Sequence, residues 1–150
     1  MEFVEVTDKN WESVIQLKPK NEQAGFLRTN IAIHSLAKAY VTRDKPDRSI
    51  PFAIENEGEL VGAFLFRDYK RGCNLTGFFI DEKFQGRGFG KKALAKFIDY
   101  VKRTCPSAKE IELTIAPGNT VAEKLYQSFG FKYTGEKSDR GNLYMELHFD

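Results

Sequence analysis

Cysteine is scarce in this chain of 150 residues, with only Cys73 and Cys105. Their wide separation leaves no CxxC redox motif and no paired metal-ligand spacing, so two free thiols in a reducing compartment are expected. The sequence by itself leaves their pairing as a disulfide open. Long apolar runs are missing too: none approaches the roughly 20 residues that a membrane span needs. The N-terminus MEFVEVTDKN alternates like a strand and does not place a basic region before an apolar one, unlike a signal peptide. No membrane partner is expected, and the cytoplasm is the expected location. Nor does one sign of charge prevail, since 23 basic side chains face 21 acidic ones for a net charge of +2. A general nucleic-acid binder concentrates basic charge on a face or along a helix, so no nucleic-acid partner is expected. A local positive site is still allowed. Histidine is reduced to His34 and His148, each read as a surface or packing residue.

Aromatic bulk is plentiful, at 13 phenylalanines, six tyrosines and one tryptophan. The hydrophobic fraction of 41% and the charged fraction of 29% are ordinary for a globular protein. The length fits one domain, residues 1–150, with a sizeable core. Phe3 to Val6 suggest a short first strand. TDKNWESVIQL follows as a helix capped by Thr7 or Asp8, with Trp11, Val14, Ile15 and Leu17 at helical spacing and Pro19 at its end. A second helical region, about 22–40, has Phe26, Leu27, Asn30, Ile31, Ile33, Leu36, Ala37 and Tyr40 along a largely apolar side. Two apolar runs around Asn56-Glu57-Gly58 read as a hairpin, and Cys73 to Ile80 as a further strand. Lys91 to Val101 is helical. Glu110 to Ile115 alternates as a strand, and Pro117, Gly118 and Asn119 turn the chain into a helix carrying Val121, Ala122, Leu125 and Phe129. Two strands flank a last turn at residues 139–142. The order β-α-α-β-β-β-α-β-α-β-β predicts an α/β fold (mixed α+β): a central mixed, twisted β-sheet covered by helices.

The stretch FFIDEKFQGRGFGKKAL, Phe78 to Leu94, holds three glycines within five residues between a strand and a helix. Such density means tight backbone geometry or something pressed against the main chain. Free N–H groups and the helix dipole at the helix start form an anion site, to which Arg87, Lys91 and Lys92 add charge. It is no Walker A loop: Gln85 stands where the first glycine belongs, and GKK lacks the hydroxyl that holds magnesium. It is no dinucleotide fingerprint either, because Gly90 follows Gly88 one residue too soon.

Gln85-x-x-Gly88-x-Gly90, after the strand end Phe78-Phe79-Ile80 and before a helix, resembles the acyl-CoA signature of the GNAT family of N-acetyltransferases. Asn119 and Tyr126 in NTVAEKLYQSFGFKYTGE match that family's second signature, and the order of elements agrees along nearly the whole chain. FFIDEKFQGRGFGKK and LYQSFGFKYTGE look especially like bacterial spermine/spermidine acetyltransferases. Around Gln23, Phe26, Leu36, Ala37 and Tyr40 the likeness is weaker.

The resemblance implies a single-domain GNAT fold with acetyl-CoA as cosubstrate and no metal. The strand before the loop would splay from its parallel neighbour, often through a bulge, to admit CoA. Phe78, Phe79 and Ile80 would pair with the pantetheine arm and polarise the thioester carbonyl. Gln85, Gly86, Arg87, Gly88, Phe89, Gly90 and Lys91 would hold the pyrophosphate. Asn119 would serve as helix cap and pantetheine ligand, and Tyr126 would protonate the departing thiolate. The partner would be a small-molecule amine, polyamines first, with protein N-termini or lysines as a second class and a non-catalytic CoA binder as a third. A homodimer is allowed. Polyamine enzymes commonly carry an acid in the strand entering the loop, where this chain has Thr76. Glu112 is the candidate base or amine anchor, with Glu22 and Asp81 as lesser, solvated candidates.

Overall fold

A computed structural model describes residues 1–20 and 30–150. Seven strands form one sheet: β1 (Glu2–Glu5), β2 (Ser49–Asn56), β3 (Glu59–Tyr69), β4 (Gly72–Ile80), β5 (Glu110–Ile115), β6 (Lys132–Lys137) and β7 (Leu143–His148). Their spatial order is β1-β2-β3-β4-β5-β7-β6. All neighbours run antiparallel except β4 and β5, which are parallel. The described helices are α1 (Trp11–Val14), α2 (Ile31–Val41), α3 (Phe89–Thr104) and α4 (Thr120–Ser128). Among the described helices only α3, between β4 and β5, makes a parallel crossover, and this is where the glycine loop falls.

Each strand tells its two faces apart by alternation. Phe52, Phe64, Phe66, Leu75, Ile111 and Leu113 turn to one side and pack with Leu94, Phe97 and Val101 of α3. Phe64 meets Phe52 as a stack and Phe97 edge-on, with ring centroids 5.4 Å apart in both pairs. Ala53, Ala63 and Phe79 turn the other way, against Val14, Ile31 and Ala32. The β2–β3 hairpin closes through Glu57 and Gly58, at φ of 51° and 82°. Two left-handed residues are what a turn between twisted strands requires.

Three expectations are corrected. The first helix is one turn long and begins at Trp11, with neither Thr7 nor Asp8 as its cap. Asn10 Oδ1 accepts from Thr7 N at 2.8 Å and Thr7 Oγ1 accepts from Lys9 N at 3.2 Å. These local bonds hold residues 7–10 as a turn that competes with the helix. Trp11 is left exposed. In α2 the buried face is Ile31, Ala32 and Ser35, whereas Ile33, Ala37 and Tyr40 face solvent. Tyr40 instead stacks under Arg43, whose guanidinium carbon is 3.9 Å from the ring centroid. On α4, Val121 is likewise exposed. Glu22, Gln23, Phe26 and Leu27 lie outside the described residues.

Candidate active site

The parallel β4–β5 ladder has three rungs, Gly72–Glu110, Cys73–Ile111 and Asn74–Glu112, and then stops. A side-chain knot fixes the last rung. Asn74 Nδ2 donates to Glu112 Oε1 at 2.8 Å, and Arg67 Nε donates to Asn74 Oδ1 at 2.9 Å. Beyond Asn74 the strands part. On its other side β4 stays paired to β3, but three steps of β4 (Phe79 to Thr76) span two of β3 (Ala63 to Leu65). That extra residue is a bulge, which bends the strand and turns its edge away from β5. Gly77 sits in it at φ +60°, in the left-handed region that glycine enters without penalty.

The fork opens into a cavity of about 440 Å³. Phe78, Phe79 and Ile80 line it from β4, Thr114 and Ile115 from β5, and Asn119 and Tyr126 from α4. Gln85, Gly86, Gly88, Phe89 and Gly90 close one end. Arg87 and Lys91 do not line it. They are exposed, and the Arg87 guanidinium carbon lies 5.5 Å from the Phe84 ring centroid.

The loop is braced at both ends. Gln85 Nε2 donates to the Ile80 carbonyl at 2.8 Å, folding the loop back on the strand it leaves. Asp81, expected to be solvated, is buried at 4% exposure. Its carboxylate accepts from Lys83 N and Lys18 N, both at 3.0 Å. It therefore caps the 3-10 turn Glu82–Phe84 and ties the loop to the chain leaving α1. Gly88 is the N-cap of α3 at φ +78°, and among the described residues no side chain caps this 16-residue helix. Its first N–H groups therefore have no side-chain partner among the described residues, and such a helix start favours an anion. A Cβ on Gly86 or Gly88 would meet nothing within 4 Å. Backbone conformation, not a crowding neighbour, explains these two glycines.

On α4, Asn119 Oδ1 accepts from Ala122 N at 3.3 Å, so the expected cap is present. Tyr126 is 7% exposed, packs on Phe131 at 5.6 Å between centroids, and lines the cavity. Burial pushes its phenol above the ordinary range, which holds the proton on the oxygen. Among the described residues its hydroxyl has no hydrogen-bond partner.

Glu112 does not reach the cavity. It stands two residues before Thr114 on the same face of β5, with its carboxylate engaged by Asn74. No aspartate or glutamate lines the cavity among the described residues. The stripe of α2 that does line it is Ile31, His34, Ser35 and Lys38. His34 is exposed, as a surface residue would be, and lies at the cavity rim. Sequence reasoning passed over Ser35, Lys38, Thr76, Thr114 and Asn142 as lining residues; the i, i+3, i+4, i+7 spacing on α2 was the available signal.

Elsewhere, the exposed His148 Nε2 lies 2.9 Å from Glu146 Oε2. Buried Glu110 accepts from the Tyr69 hydroxyl at 3.1 Å, and burial, then Glu110, push that phenol upward. Cys73 and Cys105 are free thiols, but the fold brings them together: their sulfurs and an Asp68 oxygen lie within 4.8 Å of one another. Burial, then Cys105, push the Cys73 thiol up. Among the described residues no helix is long and apolar enough to cross a membrane.

The Acetyltransferase (GNAT) family model matches residues 11–131. A spermine/spermidine N(1)-acetyltransferase of Bacillus subtilis (strain 168) is 31% identical over 93% of each chain. Among solved structures, an N-acetyltransferase of Thermoplasma acidophilum in complex with coenzyme A superposes with a TM-score of 0.71. It shares 16% identity and covers 99% of this chain and 98% of its own. A spermidine N-acetyltransferase chimera from Vibrio cholerae and hSSAT gives a TM-score of 0.74 at 18% identity, over 99% and 96%.

Proposed function

The chain belongs to the GNAT family of acetyltransferases, and from that premise we propose that it moves the acetyl group of acetyl-CoA to a primary amine of a small molecule, with a polyamine such as spermidine or spermine first. The observation that carries this reading is the parted β4–β5 ladder. Among the described residues it leaves the backbone of Leu75 to Ile80 without a strand partner on the β5 side, near the start of α3.

The residues present fit acetyl-CoA. The α3 N-terminus with Gly86, Gly88 and Gly90 suits a pyrophosphate, with Arg87 and Lys91 adding positive field from outside the cavity. The unpaired edge of Phe78 to Ile80 suits the amide-bearing pantetheine arm, and backbone donors there stabilise a developing oxyanion. Asn119 keeps its amide NH₂ for the same arm while its oxygen caps α4. Tyr126 holds a proton at the point where sulfur gains charge. The acetyl donor supplies an activated carbonyl, and the amine supplies the lone pair. Nitrogen bonds to carbon as carbon separates from sulfur; Tyr126 hands its proton to the sulfur, and the nitrogen loses one to solvent.

Acetyl transfer should be scored by release of free thiol across polyamines, aminoglycosides, amino acids and N-terminal peptides. Turnover of spermidine or spermine is expected. Turnover confined to peptides, with spermidine inert at millimolar levels, would replace this reading with a protein acetyltransferase. Acetyl-CoA binding with every amine inert would make the protein a non-catalytic binder. A second result concerns Glu112. Glu112→Gln keeps an acceptor for Asn74 and should leave turnover within a few-fold of wild type, because this side chain stands outside the cavity. A hundredfold fall in kcat would restore it as the base.

A further inference from the structure

We propose that the Ser35 hydroxyl receives and orients the acceptor amine, an assignment that rests on the acetyl-transfer reading above. Ser35 is only 6% exposed, yet it lines the cavity. Among the described residues its hydroxyl has no hydrogen-bond partner. No buried side-chain oxygen among the described residues lacks a partner, so this unbonded oxygen is reached from the cavity and is open there to a ligand or water.

Its position is specific. A Cβ built on Gly77 would stand 2.9 Å from Ser35 Oγ, so the hydroxyl rests directly on the β4 bulge. Ile31, one turn earlier on α2, is the next neighbour of that same point. The bulge begins the backbone stretch assigned to the thioester carbonyl. Tyr126 reaches the cavity from the core cluster of α3 and α4, whereas α2 belongs to the cluster on the opposite sheet face. The parted strands thus put the proton donor for the leaving sulfur on one side and Ser35 on the other. An amine on the Ser35 side donates one N–H to Oγ, which fixes the direction of its lone pair toward the carbonyl carbon. The N–C bond then forms as the C–S bond breaks. Thr76, the register partner of Leu65, also lines the cavity and brings a second hydroxyl to it. This arrangement selects an uncharged amine nitrogen, because it offers hydroxyl oxygens and no carboxylate among the described lining residues.

The test uses Ser35→Ala and Ser35→Cys. Alanine suits a helix, and cysteine keeps the shape while offering only a weak acceptor. Both should keep the wild-type melting temperature and acetyl-CoA affinity. Both should lose kcat/KM for the amine by roughly 10- to 100-fold, the scale of a mispositioned reactant. Wild-type kcat/KM in either variant would overturn the assignment, as would a matching loss of acetyl-CoA affinity. If the wild-type protein turns over no amine at all, the acetyl-transfer reading itself fails and the Ser35 role goes with it. Wild-type turnover with indifferent variants removes Ser35 alone.

Discussion

Tyr126→Phe should slow the chemical step by about 100-fold or more, the low end for loss of a general acid, while acetyl-CoA affinity stays near wild type. The substitution removes one oxygen from a ring that packs on Phe131 and keeps the ring itself. The hydroxyl it removes has no partner among the described residues, so stability should hold or rise slightly. Single-turnover rates separate this outcome from a binding defect. The phenol is shifted upward from an ordinary value near 10, so Tyr126 stays protonated throughout assays below that pH. An alkaline limb in the rate at pH 8 to 9 would therefore belong to another group. Equal single-turnover rates in the two proteins would mean that water or a different side chain delivers the proton.

Gly88→Glu should weaken acetyl-CoA binding by roughly 100-fold, since juxtaposed like charges cost several kcal/mol and each 1.4 kcal/mol is tenfold. The new carboxylate would stand at the N-cap of α3, where the pyrophosphate is proposed to sit. Space is not the obstacle, since nothing lies within 4 Å of the added Cβ. Backbone strain is a separate cost, because φ at this position is +78°. Gly88→Asn isolates that cost: asparagine tolerates the left-handed region better than most residues and brings no charge. Calorimetric titration should show the asparagine variant binding far better than the glutamate one. Equal affinity in the wild-type and glutamate proteins, both folded, would move the phosphate site away from this loop.

The fold was legible wherever periodicity and turn chemistry agreed. Leu94, Phe97, Ile98 and Val101 sit at helical spacing and are all buried in α3. Ile111, Leu113 and Ile115 alternate and are buried on one face of β5. The first third was harder to read. Apolar spacing alone put Ile33 and Tyr40 inside, but the inner face of α2 is set by the sheet it meets, and small Ala32 and Ser35 let the helix lie close. Glu112 shows a different limit. Alternation correctly put it opposite Ile111 and Leu113, yet the length of β5 and the bond from Asn74 keep it short of the cavity. Asp81 shows a third, because two backbone donors 65 residues apart in sequence, Lys18 and Lys83, converge on it and no local pattern announces that. The loop glycines and Asn119 were readable because their tasks are local: positive φ, a helix start, a cap.

The seam between β4 and β5 makes this protein a sheet with an edge in its interior. Exposed strand edges invite pairing with other chains, and most proteins cover them with their own structure. Here the covering piece is proposed to be the cosubstrate, whose arm would stand in for the missing strand. Ligand that binds only the folded form adds stability as its concentration rises, about 2.7 kcal/mol at a hundred times Kd. Resistance to proteolysis would then follow the supply of acetyl-CoA, and the amount of enzyme that survives would itself report the cell's acetyl-donor level.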